Sequence, residues 1–208
     1  MFTIPENFPL SMAPLAWLVG TWAGEGVGGY PTVETFRFAQ EIVVTNDGRP
    51  FLAYTSRSWI LDDTGARFRP AAFETGFWRP ANPADAASPV PGDAARADTE
   101  IDLRQGVDAQ AASTAPEPPA MPEPAGAVDL LLTHSSGFVE VWTGVADGPR
   151  ISLQTDVVAR TPTAKDYSAG TRVYGLVEGD LMWAFDMAAV GHPIQPHLSA
   201  RLTRVATS

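Results

Sequence analysis

Residues 15–35 read LAWLVGTWAGEGVGGYPTVET, and this stretch decides the fold. Gly20-Thr21-Trp22-Ala23-Gly24-Glu25-Gly26 sets three glycines around one tryptophan, with Gly28-Gly29-Tyr30-Pro31-Thr32 directly behind. Glycine at alternate positions of an extended segment lets a neighbouring backbone or a flat ligand come close. Trp22, between them, is large enough to plug the end of a small barrel. A phosphate-cradling glycine loop needs a buried strand before it and a helix after it. Polar–apolar alternation follows instead, which argues against a phosphate site.

The same alternation recurs along most of the chain, broken by turn signals. It predicts strands over residues 21–27, 33–44, 51–61, 67–78, 128–133, 138–145, 150–158, 171–177, 181–187 and 197–205. Asn46-Asp47-Gly48, Asp62-Asp63-Thr64-Gly65, Ser135-Ser136-Gly137, Asp147-Gly148 and Glu178-Gly179-Asp180 supply tight connections between them. Helical periodicity is confined to one turn near residues 12–18. An antiparallel meander of about ten strands satisfies its edges by closing on itself. The expected fold is therefore all-β: a single up-and-down barrel over residues 1–208, wide enough for one flat ligand.

One segment departs from this pattern. Pro and Ala supply 22 of the 47 residues in 80–126, which hold no aromatic side chain, and PEPPAMPEP reads as a stiff linker. Such a composition buries too little apolar surface to offset its ordering entropy. Residues 81–125 are expected to be a long inserted surface loop, at least partly disordered. The segment also carries most of the acidity. Its eight acids and two arginines contribute −6 to a net charge of −10.

That charge disfavours nucleic acid and anionic membrane as partners. The absence of cysteine excludes disulfides, thiolate metal sites and a cysteine nucleophile. No apolar run approaches the roughly 18 residues of a membrane span, and residues 1–15 lack the pattern of a secretory signal. A cytoplasmic protein is expected.

Histidine is the remaining candidate for metal chemistry, at three positions. His134 beside Ser135-Ser136-Gly137 reads as a solvated turn residue, and His192, between Gly191 and Pro193, as a loop residue. His197 opens the last strand behind two prolines that stiffen its approach. Strict alternation puts it with Ser199, Arg201 and Thr203, away from the apolar face. Patterning alone thus reads it as structural. An inward His197 requires a bulge near Pro196 or a covered outer face.

The residues 20–26 fit a GxWxGxG signature (Gly20, Trp22, Gly24, Gly26), and the chain resembles the nitrobindins, small haem-binding β-barrels. The resemblance continues through Tyr30-Pro31-Thr32, Asp186-Met187-Ala188-Ala189-Val190-Gly191 and Gln195-Pro196-His197-Leu198. It covers essentially the whole chain outside 81–125.

The resemblance implies haem b, one per subunit, with His197 as the axial iron ligand and Thr32 in contact with the haem. A basic residue would meet the propionates, Lys165 first and Arg172 second. It also implies isomerisation of peroxynitrite to nitrate at ferric iron, with reversible nitric oxide binding in the ferrous state. A far side lined by apolar groups would give bound O2 little hydrogen-bond stabilisation and favour ferric iron. An exposed apolar barrel face would support a homodimer. Two rival readings are a fatty-acid or lipophile carrier, whose Arg-x-Tyr clamp is incomplete at Arg201-Leu202-Thr203, and a non-catalytic haem-based gas sensor.

Overall fold

In a computed structural model, residues 7–81 and 126–206 are described. They form ten antiparallel strands: β1 Gly20–Tyr30, β2 Val33–Thr45, β3 Leu52–Leu61, β4 Arg67–Pro80, β5 Ala127–His134, β6 Phe138–Asp147, β7 Arg150–Arg160, β8 Tyr167–Val177, β9 Asp180–Ala189 and β10 Gln195–Arg204. Each strand pairs with its sequence neighbours, and β1 pairs with β10 to close the barrel. The expectation of a closed all-β meander holds. The expected inserted loop at 81–125 lies outside the described residues, except Ala81. The strands flanking it are neighbours in register, with Arg79 opposite Asp129 and Pro80 opposite Val128.

One end of the barrel is plugged by a 3₁₀ helix, Leu10–Leu18, longer than the single turn expected. Its Met12, Leu15, Ala16 and Leu18 are buried. The Trp22 indole N–H donates to the Leu18 carbonyl at 2.9 Å and ties the plug to β1. Trp22, Trp78 and Trp142 are fully buried inside the barrel, where each removes a large apolar area from water.

The glycines of the signature serve packing. Gly24, Gly26 and Gly28 face inward with Trp22, and a Cβ at any of them would collide with β10 backbone or side chain, or with the rings of Phe36 and Phe38. Of the two roles that the sequence allows for them, close approach of neighbouring strands is the one realised.

Three strands deviate from strict alternation where it matters for the site. On β10, Pro196 pairs with Asp186 and Leu198 pairs with Phe185, so His197 is an extra residue in a bulge. On β8, Tyr167 pairs with Ala189 and Ala169 with Ala188, leaving Ser168 as the extra residue. A third register shift falls between Gly28 and Tyr30 on β1. All three lie at the end of the barrel opposite the plug.

Candidate functional site

That open end holds a cavity of about 540 Å³, within the range of roughly 300–1,000 Å³ usual for small-molecule sites. All three residues that the sequence singles out around His197 line it: Thr32 and Lys165 at its exposed rim, Arg172 at its floor. A larger depression of about 720 Å³ lies along β1, β10, β9 and β8, lined in part by Val27, Val173 and Met182, and contains none of the three histidines.

The bulge turns His197 into the cavity, which resolves the conflict between its position and the alternation of β10. Its Nδ1 donates to the carbonyl oxygen of Gly29 at 2.9 Å. This bond fixes the tautomer and leaves the Nε2 lone pair unengaged by protein. The rings of Tyr30 and Phe185 flank the imidazole edge-on at 5.7 and 5.8 Å. Tyr30 is itself clamped: its hydroxyl donates to the Ala189 carbonyl at 3.1 Å and accepts from the Ala189 N–H at 2.9 Å. Burial holds the His197 imidazole below its ordinary value; the Gly29 carbonyl opposes this, and the charges of Arg172 and Lys165 add to it. The outcome is an oriented, neutral imidazole, the donor that ferric or ferrous iron takes as an axial ligand.

In the closed strand order β5 lies five steps from β10 in either direction, so the wall of β4, β5 and β6 faces His197. That wall carries ionisable side chains, Glu74, His134 and Glu140. His134 is a buried member of it rather than a solvated turn residue, with its side chain 6 % exposed. Its Nε2 donates to Glu140 Oε2 at 2.6 Å, and its ring stacks on Phe138 at 4.0 Å. Nδ1 faces Glu74 Oε1 across 3.6 Å, too far for a direct hydrogen bond.

Arg172 reaches from β8 to β4 and forms a strut across the barrel. Its two terminal nitrogens donate to the two oxygens of Glu74 at 3.0 and 3.3 Å. The guanidinium also lies over the rings of Phe185 and Trp142 at 4.7 and 5.1 Å, a favourable placement for a desolvated cation. Burial would raise both carboxyls. Arg172 and then His134 outweigh it for Glu74, and the His134 hydrogen bond and then the Arg172 charge outweigh it for Glu140, so both lie below the usual value. Burial would likewise lower Arg172, but the charge of Glu74 raises it well above its ordinary value. Arg172 is thus committed to carboxylates at the floor, whereas Lys165 is exposed at the mouth. Of the two basic residues named for the propionates, Lys165 is the exposed one and Arg172 the buried one.

The other assignments divide clearly. His192 packs against Tyr30 at 5.8 Å, outside the cavity lining. Arg201, the residue on which a carboxylate clamp would depend, is exposed on the outer face and donates to Asp180 at 2.6 Å. Among the described residues no group of three or more His, Asp or Glu could hold a metal ion by itself. No described helix is long and apolar enough to cross a membrane.

Glu74, Glu140, Tyr30 and Tyr167 also build the site, and the sequence reading missed them. A signal existed for the first two. Glu140 shares the parity of Trp142, and Glu74 that of Gly76 and Trp78, so each places an acid on an inward face.

A closed barrel plugged at one end, with a bulge-mounted histidine in a cavity at the other, defines a small-ligand-binding β-barrel. This chain belongs to the THAP4-like, heme-binding beta-barrel domain family, whose model matches residues 11–204. A peroxynitrite isomerase from Nocardioides sp. is 43% identical over 203 residues, covering 98% of each chain. A ferric nitrobindin-like protein from Kineococcus radiotolerans is 44% identical over 200 residues, covering 95% of each. The crystal structure of Rv2717c from M. tuberculosis superposes with a TM-score of 0.69 at 28% identity, covering 96% of this chain and 99% of that one.

Proposed function

We propose that this protein holds haem b through His197 and isomerises peroxynitrite to nitrate. The observation that carries the reading is the His197 bulge: an imidazole with Nδ1 tied to Gly29 and Nε2 free toward a cavity. The names of the relatives from Nocardioides and Kineococcus support the reaction and the ferric state. Ferric haem with one open position would supply the metal centre at which the O–O bond breaks and the fragments recombine as nitrate.

The chain's own residues have separable tasks. His197, oriented by Gly29 and held by Tyr30 and Phe185, would bind the iron through Nε2. Thr32 and Lys165, exposed at the rim, would hold the haem's outer edge, Lys165 through its charge on the propionates. The plugged end and the aromatic layer beneath Arg172 keep water from entering behind the cofactor. We extend the reading to nitric oxide as a ligand of the reduced protein. A second copy of the chain would bind through the exposed side chains of Phe77 and Leu131, cross-strand neighbours on β4 and β5.

The test is stopped-flow mixing of ferric, hemin-loaded protein with peroxynitrite. Faster decay with nitrate as the main product, abolished by cyanide, is the expected result. Equal acceleration by apo-protein would assign the effect to sacrificial oxidation of Trp, Tyr and Met and overturn the isomerase reading.

A further inference from the structure

The cavity lining contains three buried polar atoms without a hydrogen-bond partner: the Tyr167 hydroxyl, Arg172 Nε and Glu140 Oε1. Their residues are 5, 3 and 2 % exposed. The Tyr167 hydroxyl and Glu140 lie close enough to influence each other without forming a well-made bond. With Arg172 Nε they leave unmet polar capacity around one space, where buried polar atoms are nearly always paired. The indole nitrogens of Trp17, Trp78 and Trp142 are also unpaired, but none of those residues lines the cavity.

Local structure aims Tyr167 at this space. The Ser168 bulge puts Tyr167 on the inner face of β8 with Gly170 and Arg172, which odd–even alternation would forbid. A Cβ at Gly170 would sit 2.8 Å from the Tyr167 hydroxyl, so the glycine makes room for the phenol to lie along the strand. The ring is gripped by Phe138 at 5.4 Å and Phe185 at 6.0 Å. Phe185 in turn touches His197 at 5.8 Å, one ring away from the proposed iron ligand.

We propose that Tyr167 contacts the substrate: its hydroxyl donates a hydrogen bond to an oxygen of a small nitrogen–oxygen ligand, with Arg172 Nε as a second donor. This rests on His197 holding the haem. Burial and the charge of Glu140 push the phenol well above its ordinary value, so it remains an O–H donor. Glu140 Oε1 borders the same space and repels a free anion. The site therefore suits an oxygen whose negative charge is drawn toward another part of the ligand.

The test uses Tyr167→Phe, which keeps the ring and its packing. Hemin-loaded ferric protein is titrated with nitrite, followed by the Soret shift, and the C–O stretch of the reduced carbonyl complex is recorded. The variant should take up hemin like the wild type and bind nitrite roughly three- to tenfold more weakly, the worth of one hydrogen bond. Its C–O stretch should move to higher frequency, which a merely structural role would not cause. An unchanged value in either measurement overturns the proposal. Loss of hemin uptake by the variant alone also overturns it, making Tyr167 structural. Failure of the wild type to take up hemin overturns the haem reading itself, and this proposal with it.

Discussion

His197 Nδ1 donates to the backbone carbonyl of Gly29 at 2.9 Å, joining the β10 bulge to the register shift that follows Gly28 on β1. Two irregularities on paired strands thus meet in one hydrogen bond. The first strand sets the orientation of an imidazole carried by the last.

Tyr30 buttresses that arrangement. In Tyr30→Phe the ring stays against His197, but the buried Ala189 N–H loses the Tyr30 hydroxyl, while the Ala189 carbonyl keeps the His192 N–H at 2.9 Å. Leaving one such group unpaired costs about 1–3 kcal/mol. A lower thermal midpoint and several-fold weaker hemin binding are expected from melting and Soret titration. Unaltered stability would show that the Ala189 bonds are dispensable.

The Arg172 strut should dominate the response to acid. Glu74 and Glu140 lie below their ordinary value of 4.5 in the folded protein. Their stabilisation is therefore complete above that value and is lost as pH falls through their lower, folded values. Arg172→Met removes the counter-charge from both buried carboxylates, a change that costs about 3–5 kcal/mol. Urea melts at pH 7 should show that loss, and the gap from wild type should narrow below pH 4.5 as the carboxylates protonate. A constant gap across this range would contradict the ion-pair account.

Gly24 offers a check on the signature that avoids the cavity altogether. A Cβ there meets the backbone of Arg201 and Leu202 on β10, and backbone gives way poorly. Gly24→Ala is expected to lose about 1–3 kcal/mol by overpacking, read from denaturant unfolding. Hemin affinity per folded molecule should hold. A neutral substitution would mean that β1 and β10 can separate freely.

The barrel was legible because most of its strands obey a period of two and most of its turns carry Gly, Asn or Asp. The site was less so, because it is made where that period fails. His197 and Tyr167 each sit beside one extra residue, and a bulge leaves no mark in the alternation except an apparent contradiction. His134 shows the complementary difficulty. Its place beside a Ser-Ser-Gly turn suggested solvent, yet its parity with Leu130 and Leu132 put it inside. Glu140 and Arg172 share inward parity with Trp142 and Tyr174, so the charged strut could have been read as paired opposite charges on apolar faces. What joins them is barrel closure, which brings β8 and β4 across from each other and is not a local property of sequence.

The central claim is that His197 holds the haem iron in this cavity. Titrating hemin into wild type and His197→Ala, with circular dichroism recorded on both apo-proteins, tests it most directly. The account predicts a saturable Soret shift for the wild type and much weaker binding without that shift for the variant, with the β-sheet spectrum unchanged. An identical Soret band and affinity in His197→Ala would contradict it and move the iron ligand elsewhere, with His134 on the facing wall the next candidate.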